Sequence, residues 1–324
     1  MKKLTFFALL GFVLAGAAAA QSPQGLTIYS IKGPSGVGLI RLFENPPRLP
    51  GFSVRMEALA QADLMAARFI AGEAKVGILP ANVAAKIAST GKKIQAAAVI
   101  GTGMLSLLSS DPGVNSIGDL KGKTVAVAGQ GATPDYVFRK ILMNRGLDPE
   151  KDLNLNYSLA YPEIAQSLIA GRVSFALLPE PFATMARLGR PDLKAVSDIQ
   201  REWTLAGGEK DYPMTVLVVD GAFAASFPEA AAAILEAVRG SIAWTAANPA
   251  EAGRLVEKHD LGLRAQAAAA AIPRSNYVYI EAAEARPSME ALFRVFLDFA
   301  PQSIGGSLPR DDFYYLRGPK NQGS

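Results

Sequence analysis

The chain has 324 residues, half of them hydrophobic, enough to bury one large domain or two smaller ones. Its 33 basic and 29 acidic residues are interspersed and leave a net charge of +4, with no basic run interleaved with aromatics, so nucleic acid is not an expected partner. The absence of cysteine excludes a thiolate–zinc site, and a single histidine leaves few options for a histidine-dependent triad, so neither metal nor cofactor is expected.

The chain opens with Lys2 and Lys3, an apolar run and then Ala18-Ala19-Ala20 before Gln21, the order of a secretory signal peptide over residues 1–20. Residues 4–20 fall short of the ~20 apolar residues that a spanning helix needs. The expectation is cleavage near Ala20 and release into a bacterial periplasm, without a lipidated cysteine or another membrane anchor.

From residue 26 onward the chain alternates strand and helix signals. Residues 26–43 read as a strand, a glycine-rich loop (Gly33-Pro34-Ser35-Gly36-Val37-Gly38) and a helix. Residues 123–142 repeat that order around Gly129-Gln130-Gly131-Ala132-Thr133-Pro134, with Thr133 as a helix N-cap and Pro134 in the first turn. IAGEAKVGILPANVA at 70–84 aligns without a gap to IAGRVSFALLPEPFA at 169–183, and the likeness extends upstream to 54–64 and 155–164. Three matches in the same order indicate an internal duplication. Each copy predicts a mostly parallel sheet flanked by helices, an α/β fold in two lobes. The boundaries expected are 21–108 for the first part of lobe one, 109–212 for lobe two and 213–324 for the return to lobe one. A buried strand is predicted at 214–219. Helices are predicted at 228–247, 249–259 (which places His259 on a surface helix), 264–272 and 287–299. No apolar span follows Phe299, so a membrane-tethered sensor is not expected.

Ligands of open α/β sheets bind beyond the carboxyl ends of the strands. Two facing lobes therefore line a cleft with Ser35, Gly36, Asn82 and Thr102 on one wall and Gln130, Gly131, Ala132, Thr133, Tyr161 and Glu180 on the other, with Tyr212 at the return crossing. The loop at 129–133 has two readings: a tight turn before a capped helix, or a cradle of backbone N–H groups for an acidic ligand group. Glu180, in Pro-Glu-Pro after a buried strand, either starts a helix or accepts hydrogen bonds from a ligand N–H. Tyr161 and Tyr212 either stack on a flat ligand or pack at the hinge.

The segments SIGDLKGKTVAVAGQGATPDYVFRKIL (116–142) and IAGRVSFALLPEPFATMA (169–186) resemble those of substrate-binding proteins of the nitrate, sulfonate, taurine and thiamine-precursor group. The resemblance covers nearly the whole chain after the signal. It implies a type II periplasmic-binding fold and a role in capturing a small molecule for an ABC importer, with a permease as partner. It also implies ligand contacts at Ser35, Asn82, 130–133 and Glu180. These loops lack the tryptophan or arginine of sulfonate- and nitrate-type pockets, and Glu180 would repel a simple oxoanion. A heterocyclic or amine-bearing ligand is therefore favoured, held by a monomer. The rival is an enzyme of the same fold acting on a thiamine or menaquinone precursor. That rival requires a catalytic histidine, cysteine or acid pair in the cleft, and the sequence supplies none there.

Overall fold

The computed structural model describes residues 22–127 and 129–316; the expected signal at 1–20 lies outside the described residues. The strands are β1 Gln24–Ile31, β2 Phe52–Leu59, β3 Val76–Pro80, β4 Ile94–Thr102, β5 Leu105–Ser109, β6 Thr124–Val127, β7 Asn154–Asn156, β8 Phe175–Pro179, β9 Lys194–Ser197, β10 Pro213–Asp220 and β11 Tyr277–Glu281. The helices are α1 Pro34–Val37, α2 Arg41–Glu44, α3 Ala62–Ala71, α4 Ala81–Ser89, α5 Thr133–Asn144, α6 Tyr161–Ile169, α7 Phe182–Gly189, α8 Ile199–Leu205, α9 Gly221–Ser226, α10 Pro228–Ala247, α11 Pro249–Lys258, α12 Ala265–Ala271 and α13 Ala282–Phe299.

Two sheets form, in the orders β11-β4-β10-β3-β1-β2 and β7-β6-β8-β5-β9. In the first, β1 pairs in parallel with β2 and β3, and β10 enters antiparallel between β3 and β4. In the second, β6 pairs in parallel with β7 and β8, and β5 enters antiparallel between β8 and β9. The two sheets thus share one topology over five strands, with an antiparallel strand in the fourth place, and β11 adds a second antiparallel strand at the edge of the first. Their central strands are unbroken apolar runs because helices cover both faces: Gly77, Ile78 and Leu79 of β3 are buried, as are Ala176, Leu177 and Leu178 of β8.

The antiparallel strands are also the crossings. β4 ends at Thr102, and β5 pairs with β8 from Leu105, so the chain changes sheets at residues 103–104. This is earlier than the boundary near residue 108 expected from the sequence, because Leu105–Ser109 is a strand of the second sheet rather than a linker. The return passes through Tyr212 into β10. Gly103 donates its N–H to the Tyr212 carbonyl, 3.1 Å away, and ties the two crossings together.

Other expectations shift by local amounts. Thr133 is the first residue of α5, and Ala132 occupies the N-cap position. β11 was not anticipated. α13 starts at Ala282 and runs through Pro287. A proline in a helix interior costs ~3 kcal/mol, but this helix buries Ala282, Ala285, Met289, Leu292, Phe293 and Phe296 along one face. No helix among the described residues is long and apolar enough to cross a membrane.

Candidate ligand-binding cleft

The first wall is built at the carboxyl ends of β1, β3 and β4 and the amino ends of β10 and β11. Thr215 of β10 is paired with Pro80 and Gly101, and Tyr277 of β11 is also opposite Gly101, so the ends of four neighbouring strands lie in one row. Ser35 reaches this row from the short helix α1 after β1, its Oγ lying 3.1 Å from Thr215 Oγ1. The Tyr277 hydroxyl donates to the Pro34 carbonyl, 2.9 Å away, and pins the same loop from its other side. Gly36 is obligatory. A Cβ there would stand 2.2 Å from the Ile31 carbonyl oxygen and 2.7 Å from Ser30 Oγ. Asn82, in the first turn of α4, is 8% exposed, yet its Oδ1 has no hydrogen-bond partner; Ser30 Oγ is likewise buried and unpartnered. Thr102 engages the Asp211 carboxyl group, whose pKa burial pushes up.

The second wall starts at the loop after β6. Gly129 and Gly131 adopt positive φ (73° and 76°), which brings the chain sharply round to α5. Gln130 is exposed at the tip. The expected cradle of free amides differs from what forms. Gly131 N–H donates to Asp135 Oδ2 at 2.8 Å, and Ala132 N–H donates to the Gly129 carbonyl at 2.9 Å. The cause is Asp135, which stands in the first turn of α5 and turns back into the loop. Its Oδ1 also accepts from Arg139 Nε (2.6 Å) and the Tyr157 hydroxyl (2.6 Å). Burial opposes the Arg139 charge, but hydrogen bonds to Glu150 and Asp135 outweigh it and drive the guanidinium pKa higher still. Thr133, 3% exposed, keeps an unpartnered Oγ1 at the helix head.

Tyr161 begins α6 and stacks on Phe182, with ring centroids 5.7 Å apart and planes at 17°. A Cβ on Gly129 would lie 3.1 Å from the Tyr161 hydroxyl, so this aromatic pair abuts the glycine loop. Burial pushes the Tyr161 pKa up to about 12. Glu180 is 2% exposed at the end of β8. Its Oε2 accepts the Thr184 amide at 3.0 Å, so one oxygen caps α7, as the helix-start reading anticipated. Burial raises its pKa, opposed by the Thr184 hydrogen bonds and by Arg187 and Arg274.

The walls meet. Met185 of α7 packs into a first-lobe cluster that includes Val37, Ile40 and Leu263, and Glu180 acts electrostatically on Tyr277. Tyr277 thus holds the Pro34 turn and lies within electrostatic range of the second-lobe carboxylate. The sequence reading missed Tyr277. The alternation Tyr277-Val278-Tyr279-Ile280 was the available strand signal, but only its pairing with β4 brings it to the cleft. Tyr212 behaves differently from the stacking reading. Its ring is enclosed edge-on against Trp203 (5.6 Å, 70°) and packs at the crossing. His259 stands at the end of α11, where it contacts Glu44 and Phe43.

A surface groove of about 740 Å³ lies elsewhere, between α13 and the α5 and α8 side of the second lobe. Helix and loop residues of both charges line it, including Lys140, Glu290, Arg294 and Asp298. Strand-end geometry rather than groove size therefore locates the candidate site.

Comparison with known proteins agrees with this architecture. An ABC transporter protein from Parabacteroides distasonis is 27% identical, with a TM-score of 0.76 over 91% of this chain and 100% of its own. The periplasmic aliphatic sulphonate binding protein SsuA from Escherichia coli superposes with a TM-score of 0.71 at 16% identity, covering 88% of this chain and 96% of its own. The periplasmic nitrate-binding protein NrtA from Synechocystis PCC 6803 gives 0.63 at 12% identity, over 90% of this chain and 87% of its own. The fold is thus the two-lobed type II periplasmic-binding fold. A search of curated proteins gives no match. The NMT1/THI5-like family model matches residues 51–252, well over half of the sequence, and the chain belongs to that family.

Proposed function

We propose that the chain is the extracytoplasmic substrate-binding component of an ABC importer. It captures a small organic molecule between its lobes and delivers it to a permease. The carrying observation is the pair of like sheets joined by adjacent crossings at 103–104 and 212–213, with Met185, beyond β8, packed against Val37 and Ile40, beyond β1. Buried polar atoms of Asn82, beyond β3, and Thr133, beyond β6, stand unengaged. Membership of the NMT1/THI5-like family and the likeness to importer binding proteins support the same reading. Export with cleavage near Ala20, a periplasmic location and a monomeric state belong to it.

The ligand is a heterocyclic or amine-bearing molecule rather than a simple oxoanion. Glu180 supplies a buried acceptor, and Tyr161 with Phe182 supplies a flat apolar surface beside it in the second lobe. A ligand N–H on that carboxylate forms a charge-assisted bond of ~1.5–3 kcal/mol. In this reading the site binds and releases its ligand without chemical change.

The test is native mass spectrometry of protein purified without refolding, followed by calorimetry with the recovered molecule. Glu180→Gln, which keeps the shape and removes the charge, should weaken a heterocycle binder by ~10-fold or more, equivalent to ~1.4 kcal/mol. Unchanged or tighter binding, with an oxoanion recovered, would reverse the ligand assignment. Recovery of the molecule in chemically altered form would favour the enzyme reading instead.

A further inference from the structure

We infer that Asp135 is a resident anion that occupies the glycine loop leading into α5 and thereby sets the cleft against carboxylate, sulfonate and phosphate groups at that position. This deepens the ligand assignment above and rests on it only for the place of the 129–133 loop in the cleft. A glycine-rich loop running into a twelve-residue helix offers N–H groups and the positive end of the helix dipole, which ordinarily attract an anion from solution. Here the chain supplies its own. Ala132 at the N-cap has no side-chain acceptor, and the Asp135 carboxylate turns back onto Gly131 N–H at 2.8 Å. It is 2% exposed, so it is an enclosed group rather than a solvated one.

Arg139, one turn further along α5, and Tyr157, beyond β7, hold the carboxylate at 2.6 Å each. The Arg139 guanidinium is occupied on every side, because it also bonds Glu150 and donates to the Tyr157 hydroxyl at 2.9 Å. An incoming oxoanion thus finds the central amide taken, the nearest cation neutralised and a like charge in place. The loop also presents the unpartnered Thr133 Oγ1, a hydroxyl suited to a neutral hydrogen-bonding group. Arg139 and Tyr157 are positioning residues in this scheme, and Asp135 is the specificity determinant.

The experiment compares wild type with Asp135→Ala for stabilisation by sodium sulfate and sodium methanesulfonate, with sodium chloride at matched ionic strength as control. Removing the carboxylate leaves Gly131 N–H and Arg139 Nε unmet at one spot. The expected result is a saturable rise in Tm with either anion in the variant, at least ~10-fold more sensitive than in wild type. Asp135→Asn keeps an acceptor and the side-chain size while removing the charge. It should show the same gain at smaller amplitude, and it decides the question if the alanine variant does not fold. Equal responses in a folded variant and wild type, or wild type binding methanesulfonate as tightly as the variant, would overturn the inference. These readouts use only inorganic sulfate and methanesulfonate, so they stand or fall separately from the identity of the recovered ligand.

Discussion

Gly36→Ala isolates the geometry of the first wall. The added Cβ would sit 2.2 Å from the Ile31 carbonyl oxygen, where carbon and oxygen ordinarily approach no closer than ~3.3 Å, so the loop must retreat by about 1 Å. The obstacle is backbone, so no rotamer change relieves it. Retreat carries Ser35 away from Thr215, now 3.1 Å apart, and stretches the 2.9 Å bond from Tyr277 to Pro34. Each bond is worth ~0.5–1.5 kcal/mol net, and overpacking adds ~1–3 kcal/mol. The sum, about 2–6 kcal/mol, corresponds to a fall in Tm of ~4–12 °C at roughly 2 °C per kcal/mol. A wall displaced by ~1 Å also loses ligand, by ~10-fold or more. Thermal unfolding by circular dichroism and ligand occupancy by native mass spectrometry read the two effects. Gly25→Ala is the control, because nothing lies within 4 Å of its Cβ position. A Gly36→Ala protein matching wild type in both Tm and occupancy would refute the packing argument.

Glu180→Gln should alter the pH dependence of stability as well as affinity. Burial raises the carboxyl pKa above its ordinary 4.5, so the native state holds the proton more firmly than the unfolded chain, and wild type loses stability as pH rises through the native value. The variant's Tm should therefore exceed wild type at pH 7 and converge with it in acid; a pH-independent difference would contradict this. Arg145→Ala should cost ~2 kcal/mol at neutral pH, because Arg145 makes a two-point bond to the buried Glu202 (2.6 and 2.8 Å). Although burial pushes the Glu202 pKa up, bonds from Arg145 and Ser197 outweigh it and lower the pKa. That stability is present above the ordinary 4.5 and is lost as pH falls, so chemical denaturation should show the gap to the variant narrowing in acid. Asp220→Ala removes the N-cap of α9, whose carboxylate accepts Phe223 N–H at 2.8 Å, and should cost ~1 kcal/mol in denaturant titration without changing ligand affinity.

Local pattern made much of the molecule legible from sequence. Hydrophobic runs marked the buried strands, and the aligned phrases at 70–84 and 169–183 correspond to structure: β3 and β8 stand at a constant offset of 99 residues, and α3 and α6 precede them at the same offset. Pro228 and Pro249 opened helices as their fixed φ allows. From this alternation the α/β class and the two copies followed. Tertiary structure decided what depends on partners distant in the chain. Whether Leu105–Ser109 is linker or strand is set by pairing with β8 and β9, some 70 to 90 residues away. Tyr277 reaches the cleft because β11 pairs with β4, and Tyr212 leaves it because Trp203 encloses its ring. The 129–133 loop carries the sequence of an anion cradle, but the direction of one side chain, Asp135, held by Arg139 and Tyr157, determines which of its amides remain free. Periodicity and caps are properties of a few adjacent residues and survive in the sequence, whereas side-chain direction and strand partnership arise only when remote segments pack.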